Sequence, residues 1–200
     1  MSISNLTSIN DAEASKILAQ LRDQSLKPIV VRRLVSKLTA TLTKYVLKTP
    51  EPEEQVAVIV VLRSGLAMAE PFLDAFPEDS NVVTYHLGLY REKQSLRPVE
   101  YYNKLPRKNP KIKRAYILDP LVATGGTARA AIDILKDWGV DQITLFALLG
   151  SATGLANVAS AYPECTEVFV GATDPELDDK GYVKPGLGDI GDRLFGTSLE

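Results

Sequence analysis

The chain has 200 residues, 45% of them hydrophobic, and a formal net charge of -2. That length and apolar content suit one α/β domain with modest appendages. The near-neutral balance excludes a general attraction to nucleic acid or anionic membrane, so an anionic substrate needs a local cluster of donors.

Cys165 is the only cysteine, which excludes a disulfide framework and a thiolate zinc site. It reads as an inert thiol near a strand start. No apolar run approaches the roughly 20 residues of a membrane span. Met1 to Asn10 lacks the charge-then-apolar pattern of a secretion signal. The chain reads as cytoplasmic, and it shows no internal repeat or low-complexity tract.

Asn10, with Glu13 three residues on, predicts a capping box that opens a helix through about Gln24, with Ile17, Leu18 and Leu21 inward. A second helix starts near Pro28 and carries the stripe Val31, Leu34, Val35, Leu38, Leu42 and Val46 until Pro50 and Pro52 end it. These N-terminal helices, over residues 10–49, read as a flap packed on the core or on a partner. Val56 to Leu62 is a nearly continuous apolar run, as in a central strand, with Arg63, Ser64 and Gly65 at its carboxyl end. A helix follows to about Phe76, with Pro71 near its start or at a kink, and then a strand from Val82 to Leu87.

Residues 88–106 change character. Gly88 to Glu92 and Val99 to Lys104 flank a polar tip, Lys93 to Arg97, which predicts a protruding antiparallel arm. Its tyrosines are too few for a nucleic-acid stacking platform and read as contacts to another subunit, hence a homodimer or larger homo-oligomer built through the β-arm.

From Ala115 the run Ala-Tyr-Ile-Leu reads as a buried parallel strand that delivers Asp119 to the carboxyl edge of the sheet. Small residues and glycines follow, and a helix begins at about Thr127 with Ile132, Leu135 and Trp138 on one side. Such a turn aims several backbone N–H groups at one spot at the positive end of a helix dipole, and Thr124 and Thr127 add hydroxyl donors, so a phosphate suits it. The absence of a lysine after the glycines argues against a triphosphate loop, and the spacing is not that of a dinucleotide turn. Taken alone, the loop fits an ordinary ligand-free turn as well as a phosphate cradle.

A strand over Gln142–Leu149, a helix near Leu155–Ala161 and a strand over Thr166–Gly171 complete a doubly wound, mainly parallel arrangement. The glycine-rich tail from Tyr182 to Thr197 carries Leu187, Leu194 and Phe195 and is expected to be packed. His86, on an apolar strand, reads as structural.

Four segments taken together resemble one family. Leu118 to Thr127 resembles the phosphoribosyl-diphosphate (PRPP) loop of type I phosphoribosyltransferases, with Pro120 standing where most members have a second acid. That variant, the arm over 88–106, the tail from Pro185 to Thr197 and the run Leu62 to Leu66 all resemble uracil phosphoribosyltransferases, over about residues 15–197. The resemblance implies a single domain over 1–200, with the N-terminal helices, the β-arm and a C-terminal hood over 173–197. It implies transfer of phosphoribosyl from PRPP to uracil, giving UMP and pyrophosphate, assisted by Mg2+.

By the same resemblance, Ala123, Thr124, Gly125, Gly126 and Thr127 hold the 5′-phosphate and Asp119 accepts from the ribose hydroxyls. Arg63, with the backbone of Ser64 and Gly65, grips the diphosphate, and Arg91 closes on it from the arm; read as residue chemistry alone, Arg91 also suits a pair with Glu92 or Glu100. A cis peptide is implied after Arg63. Main chain at Val183 and Gly188 reads the base, Tyr182 walls it, and Asp189 sits between base and ribose and is the nearest carboxylate to the metal. Asp192 and Arg193 brace the hood.

This chain departs from the family pattern at Ile190, where Ala is usual, at Val183 for Ile, at the 151–154 turn, and in a short segment between Thr49 and Val56. Those departures leave room for a weakly active or inactive paralogue that binds PRPP or a pyrimidine nucleotide in a regulatory role. A third reading makes the arm and N-terminal helices an oligomerisation module with a vestigial pocket.

Overall fold

The computed structural model describes residues 3–92 and 98–197, with Arg91 described by its backbone only. The elements run β1 (Leu6–Ser8), α1 (Ala12–Leu21), α2 (Pro28–Val46), β2 (Gln55–Leu62), α3 (Leu66–Leu73), β3 (Asn81–Arg91), β4 (Pro98–Asn103) and β5 (Ile112–Leu118). They continue with β6 (Leu121–Val122), α4 (Gly126–Trp138), β7 (Gln142–Ala147), β8 (Leu149–Ser151), α5 (Ala152–Ala159) and β9 (Thr166–Val170). The hood consists of β10 (Thr173–Asp174), β11 (Glu176–Leu177), β12 (Val183–Lys184) and α6 (Ile190–Phe195).

Seven strands form the main sheet in the order β1-β9-β7-β5-β2-β3-β4. Every pairing in it is parallel except β3 with β4. Strand β2 lies between β5 and β3, and its side chains alternate between two cores as a period of two requires. Val56, Val58 and Val60 join α1, α2, α3 and α6 on one face; Ala57, Ile59 and Val61 join α4 and α5 on the other. A strand buried on both faces has no polar side, and this accounts for the unbroken apolar run in the sequence. The doubly wound expectation holds, and the N-terminal helices cover this chain's own core.

Several boundaries differ from expectation. Helix α1 is capped by Asp11, not Asn10: the Asp11 carboxylate accepts from the N–H groups of Glu13 and Ala14. Its other oxygen takes Tyr45 and Lys44 from α2, a second anchor that Asn10 lacks. These hydrogen bonds, led by the Ala14 N–H, hold the Asp11 carboxyl down at about 2. The helix stops at Leu21. Pro71 lies inside α3, which ends two residues later at Leu73, short of Phe76. Strand β1 was not anticipated; three residues are too few to show a period, and its place comes from parallel pairing with β9.

The expected single strand over Gln142–Leu149 is two. Strand β7 leaves the main sheet at Ala147, and the N–H groups of Leu148 and Leu149 both turn to the Pro120 carbonyl. Strand β8 then forms a small second sheet, β10-β8-β6, at the carboxyl edge. The arm is also less separate than its composition suggested. Strand β3 is one continuous 11-residue strand: its first part pairs with β2 and its last part, Leu87 to Arg91, pairs with β4. The arm is therefore the rim of the main sheet, braced by Trp138, whose indole N–H donates to the Pro106 carbonyl and whose ring meets Tyr85 edge-on. The tip, residues 93–97, lies outside the described residues.

Candidate active site

A cleft of about 430 Å³ opens at the carboxyl ends of β2 and β5. Arg63 and Ser64, Asp119, the whole 123–127 loop, Tyr182, Gly188 and Asp189 all line it. Three sequence-distant segments thus share one cavity. Two expected site residues do not line it. Gly65 starts α3 just behind, and the Val183 side chain is buried in the core beneath the hood. His86 is half-buried on β3 beside Val60 and does not line the cleft.

Asp119 follows the last residue of β5, where its N–H still reaches the Phe146 carbonyl at 3.3 Å. With only 6% of its surface exposed, burial pushes its carboxyl up to about 7, against a smaller opposing pull from the Leu121 N–H. Desolvation penalises the charged form, and among the described residues no cation offsets it. The carboxylate is therefore in want of hydrogen-bond donors, which a ligand with hydroxyls would bring.

The 123–127 loop is held from below by α5. Gly125 has φ +83, and a Cβ there would come 2.5 Å from the Gly154 carbonyl oxygen. Gly154 in turn lies so close to the Ala123 carbonyl that no side chain fits between them. Only glycine tolerates both the left-handed backbone and the close approach. The Ser151 hydroxyl caps α5 by accepting the Gly154 N–H at 2.8 Å, and it donates to the Ala123 carbonyl at 2.6 Å. The Asn157 amide donates to the Thr124 carbonyl at 3.1 Å. The 151–154 turn, where this chain departs from the family pattern, thus supports the loop through Ser151. A serine three positions before the helical Gly154 is an N-cap pattern, and this was the signal available for it.

At the mouth, Arg63 donates from Nη2 to Asp192 Oδ1 at 2.9 Å and from Nη1 to Thr197 Oγ1 at 3.1 Å, with its guanidinium 5.7 Å from the Phe195 ring. Asp192 therefore holds Arg63 in addition to bracing the hood, where it hydrogen-bonds to Asp189 and Thr197. A cis peptide is present one bond earlier than expected, between Leu62 and Arg63; a second precedes Pro185.

The hood is pinned from its outer side. Arg22, just past α1, forms a forked pair with buried Asp174 at 2.7 and 2.8 Å and also donates to the Gly186 carbonyl. Burial alone would raise the Asp174 carboxyl, but the Arg22 and Gly186 hydrogen bonds hold it below its ordinary value. Arg193 braces as expected, donating to the carbonyls of Leu21, Leu187 and Asp23. Tyr182 is placed by its N–H, which donates to Asp178 Oδ1 at 2.8 Å. Asp189 caps α6 by accepting the Asp192 N–H. Ile190 lines the cleft beside it. From the arm, Tyr90 and Tyr101 also border the cavity, their rings 6.0 Å apart, a role their composition did not reveal. The Arg91 side chain lies outside the described residues.

The family model for uracil phosphoribosyltransferase matches residues 44–197. The chain is 42% identical over 196 residues to the urg2 protein of Schizosaccharomyces pombe, spanning 98% of this chain and 92% of that one. It is 38% identical over 188 residues to the uracil phosphoribosyltransferase of Nicotiana tabacum, spanning 93% and 80% respectively. With the uracil phosphoribosyltransferase of Roseiflexus castenholzii it is 39% identical over 197 residues, spanning 90% and 92%. Among solved structures, the AQ2163 protein of Aquifex aeolicus matches with a TM-score of 0.86 at 27% identity, covering 98% of this chain and all of that one. The match over most of the chain coincides with the segments that meet in the cleft, and this chain belongs to the uracil phosphoribosyltransferase family.

Proposed function

We propose that this chain is a pentosyltransferase that moves phosphoribosyl from PRPP to uracil, releasing UMP and pyrophosphate. The observation that carries the reading is the meeting of the 63–64, 119–127 and 182–189 segments in one cleft. A sugar phosphate with a charged group at each end needs anchors at both ends and a partner for its hydroxyls in the middle. The cleft lining offers all three: Arg63 and Ser64, the Asp119 carboxyl, and the 123–127 loop.

In this reading the backbone N–H groups and hydroxyls of Thr124 to Thr127 take the 5′-phosphate at the start of α4, where the helix dipole favours an anion. Asp119 accepts from the ribose hydroxyls; the donors it gains there offset the cost of its burial. Arg63, with the Ser64 and Gly65 backbone and Arg91, takes the diphosphate, since guanidinium donors match phosphate oxygens in pairs. Main chain at Val183 and Gly188 reads the alternating carbonyl and N–H groups of uracil, with Tyr182 as a wall. The Val183 side chain is committed to the core, so only its main chain is free for this role.

Loss of pyrophosphate leaves positive charge on the ribose as negative charge builds on the leaving group. Catalysis is then positioning plus electrostatics, with no covalent intermediate. Among the described residues no three His, Cys, Asp or Glu side chains gather into a metal cage. One cleft carboxylate, Asp189, together with substrate oxygens fits Mg2+, which binds readily while keeping most of its waters. When bound, the ion neutralises diphosphate charge.

Assembly through the arm and cytoplasmic residence in pyrimidine salvage belong to this same proposal. Among the described residues no helix is long and apolar enough to cross a membrane. Exposed Tyr90, Tyr101 and Tyr102 on the arm support a subunit contact. No observation favours a regulatory or purely oligomerising role. Incubation with labelled uracil, PRPP and Mg2+ tests the reading: UMP formation supports it, and PRPP binding without UMP contradicts it.

A further inference from the structure

Arg63 and Asp189 both line the cleft, one assigned to the diphosphate and the other to the base, and one residue touches both. The Asp192 N–H donates to Asp189 Oδ1 at 3.1 Å, and Asp192 Oδ1 accepts from Arg63 Nη2 at 2.9 Å. Thr197 completes the arrangement, donating to Asp192 Oδ1 at 2.6 Å while accepting from Arg63 Nη1 at 3.1 Å.

A guanidinium carries five N–H donors. Among the described residues two of Arg63's are engaged, from Nη1 and Nη2. Its side chain is 51% exposed, so without these contacts a long, rotamer-rich chain would be free at the cleft mouth and ordering it would weigh against binding. The two hydrogen bonds and the Phe195 ring, 5.7 Å from the guanidinium, hold it in advance.

We propose that Asp192 is a positioning residue for the diphosphate end of PRPP. With Thr197 it presents Arg63 to the cleft, and through the first turn of α6 it ties that presentation to Asp189 on the base side. The inference rests on the substrate assignment above and adds a residue that acts only through Arg63.

The test compares Asp192→Ala, Asp192→Asn and Thr197→Val with the unmodified protein, each alone and combined with Arg63→Ala, by calorimetric titration with PRPP and Mg2+ and by KM for each substrate. Asp192→Ala is expected to weaken PRPP binding about tenfold, the scale of one charge-assisted hydrogen bond, while shifting the uracil KM by less than about threefold. Asp192→Asn keeps an acceptor and should fall between. Thr197→Val removes the second anchor and leaves the Asp189 contact in place, so it should weaken PRPP in the same direction even if Asp192→Ala folds poorly. In the Arg63→Ala background none of the three should weaken PRPP further.

Tighter PRPP binding by Asp192→Ala would mean that Asp192 withholds Arg63, and it overturns the proposal. So does an unchanged affinity, or a loss that adds to that of Arg63→Ala. Unmodified protein that binds PRPP without forming UMP contradicts the transferase reading and leaves the affinity comparison standing. Unmodified protein that does not bind PRPP overturns both.

Discussion

Arg22 and Asp174 lie 152 residues apart, and their forked ion pair, with N–O distances of 2.7 and 2.8 Å, fastens the hood to the end of α1. The same carboxylate accepts the Gly186 N–H, two residues from Gly188 at the cleft. The Arg22–Asp174 pair therefore helps set where the Gly186–Gly188 backbone sits at the cleft.

Arg22→Ala leaves the buried Asp174 carboxylate with one backbone donor. Breaking a buried pair costs more than the pair contributes; with Arg22 partly exposed, a loss of about 2 kcal/mol is expected, read as a lower Tm. Kinetically, the uracil KM should rise several-fold more than the PRPP KM. Because Asp174 is held below its ordinary value, its contribution is present above the unfolded pKa, near 4, and is lost as pH falls through the folded one. Arg22→Ala should therefore flatten the acid limb of the stability profile.

Gly125→Ala should abolish PRPP binding. The φ of +83 disfavours any side chain, and the Gly154 carbonyl blocks the new methyl, so the loop must move away from α5. Thermal stability should fall by about 1–2 kcal/mol, the cost of the left-handed backbone. Retained affinity would show that the loop is not the phosphate site.

Arg63→Ala should separate activity from folding. Its pair with Asp192 is half-exposed, and such pairs contribute at most about 1 kcal/mol. By contrast, kcat/KM for PRPP should drop by roughly a hundredfold or more. Equal losses in stability and activity would contradict the assignment.

Asp119 makes two opposite pH predictions. If its ionised form is the one that accepts from the ribose, kcat/KM for PRPP should rise with pH through about 7. Folding should respond the other way. The folded state holds the Asp119 proton up to about 7 and the unfolded chain only to about 3.8, so this group's contribution is full below the lower value and is lost as pH climbs through the higher. Asp119→Asn, followed by activity and melting profiles, should remove the activity step and stabilise the protein near pH 8.

Much of this was legible in the sequence where period and chemistry act locally. The two-faced run of β2, the stripe of α2 and the glycine turn before α4 announce themselves because burial on both faces, helical spacing and a tight strand-to-helix turn each demand a residue pattern. Sequence reading failed where position depends on a distant partner. Strand β1 owes its place to β9, the break at Leu148 to the Pro120 carbonyl, and the cap of α1 to an Asp11 that α2 also needs. At the site, the segments that line the cleft could be named in advance. Their supports were harder to see: Ser151 offered only a cap pattern, while Asn157 and Arg22 act on a backbone carbonyl and a buried acid that only the fold brings near. Asp192 braces the hood through Asp189 and Thr197, as its place in the tail suggested, but nothing near it in sequence points to its second partner, Arg63.

The most direct test of the single-cleft account is a crystal structure with PRPP or UMP bound. The account predicts phosphate against the backbone of 124–127, ribose hydroxyls within hydrogen-bond reach of Asp119, and, for UMP, the base under the 182–189 segment. A nucleotide bound elsewhere, or one whose phosphate and base do not bridge those two segments, would contradict it.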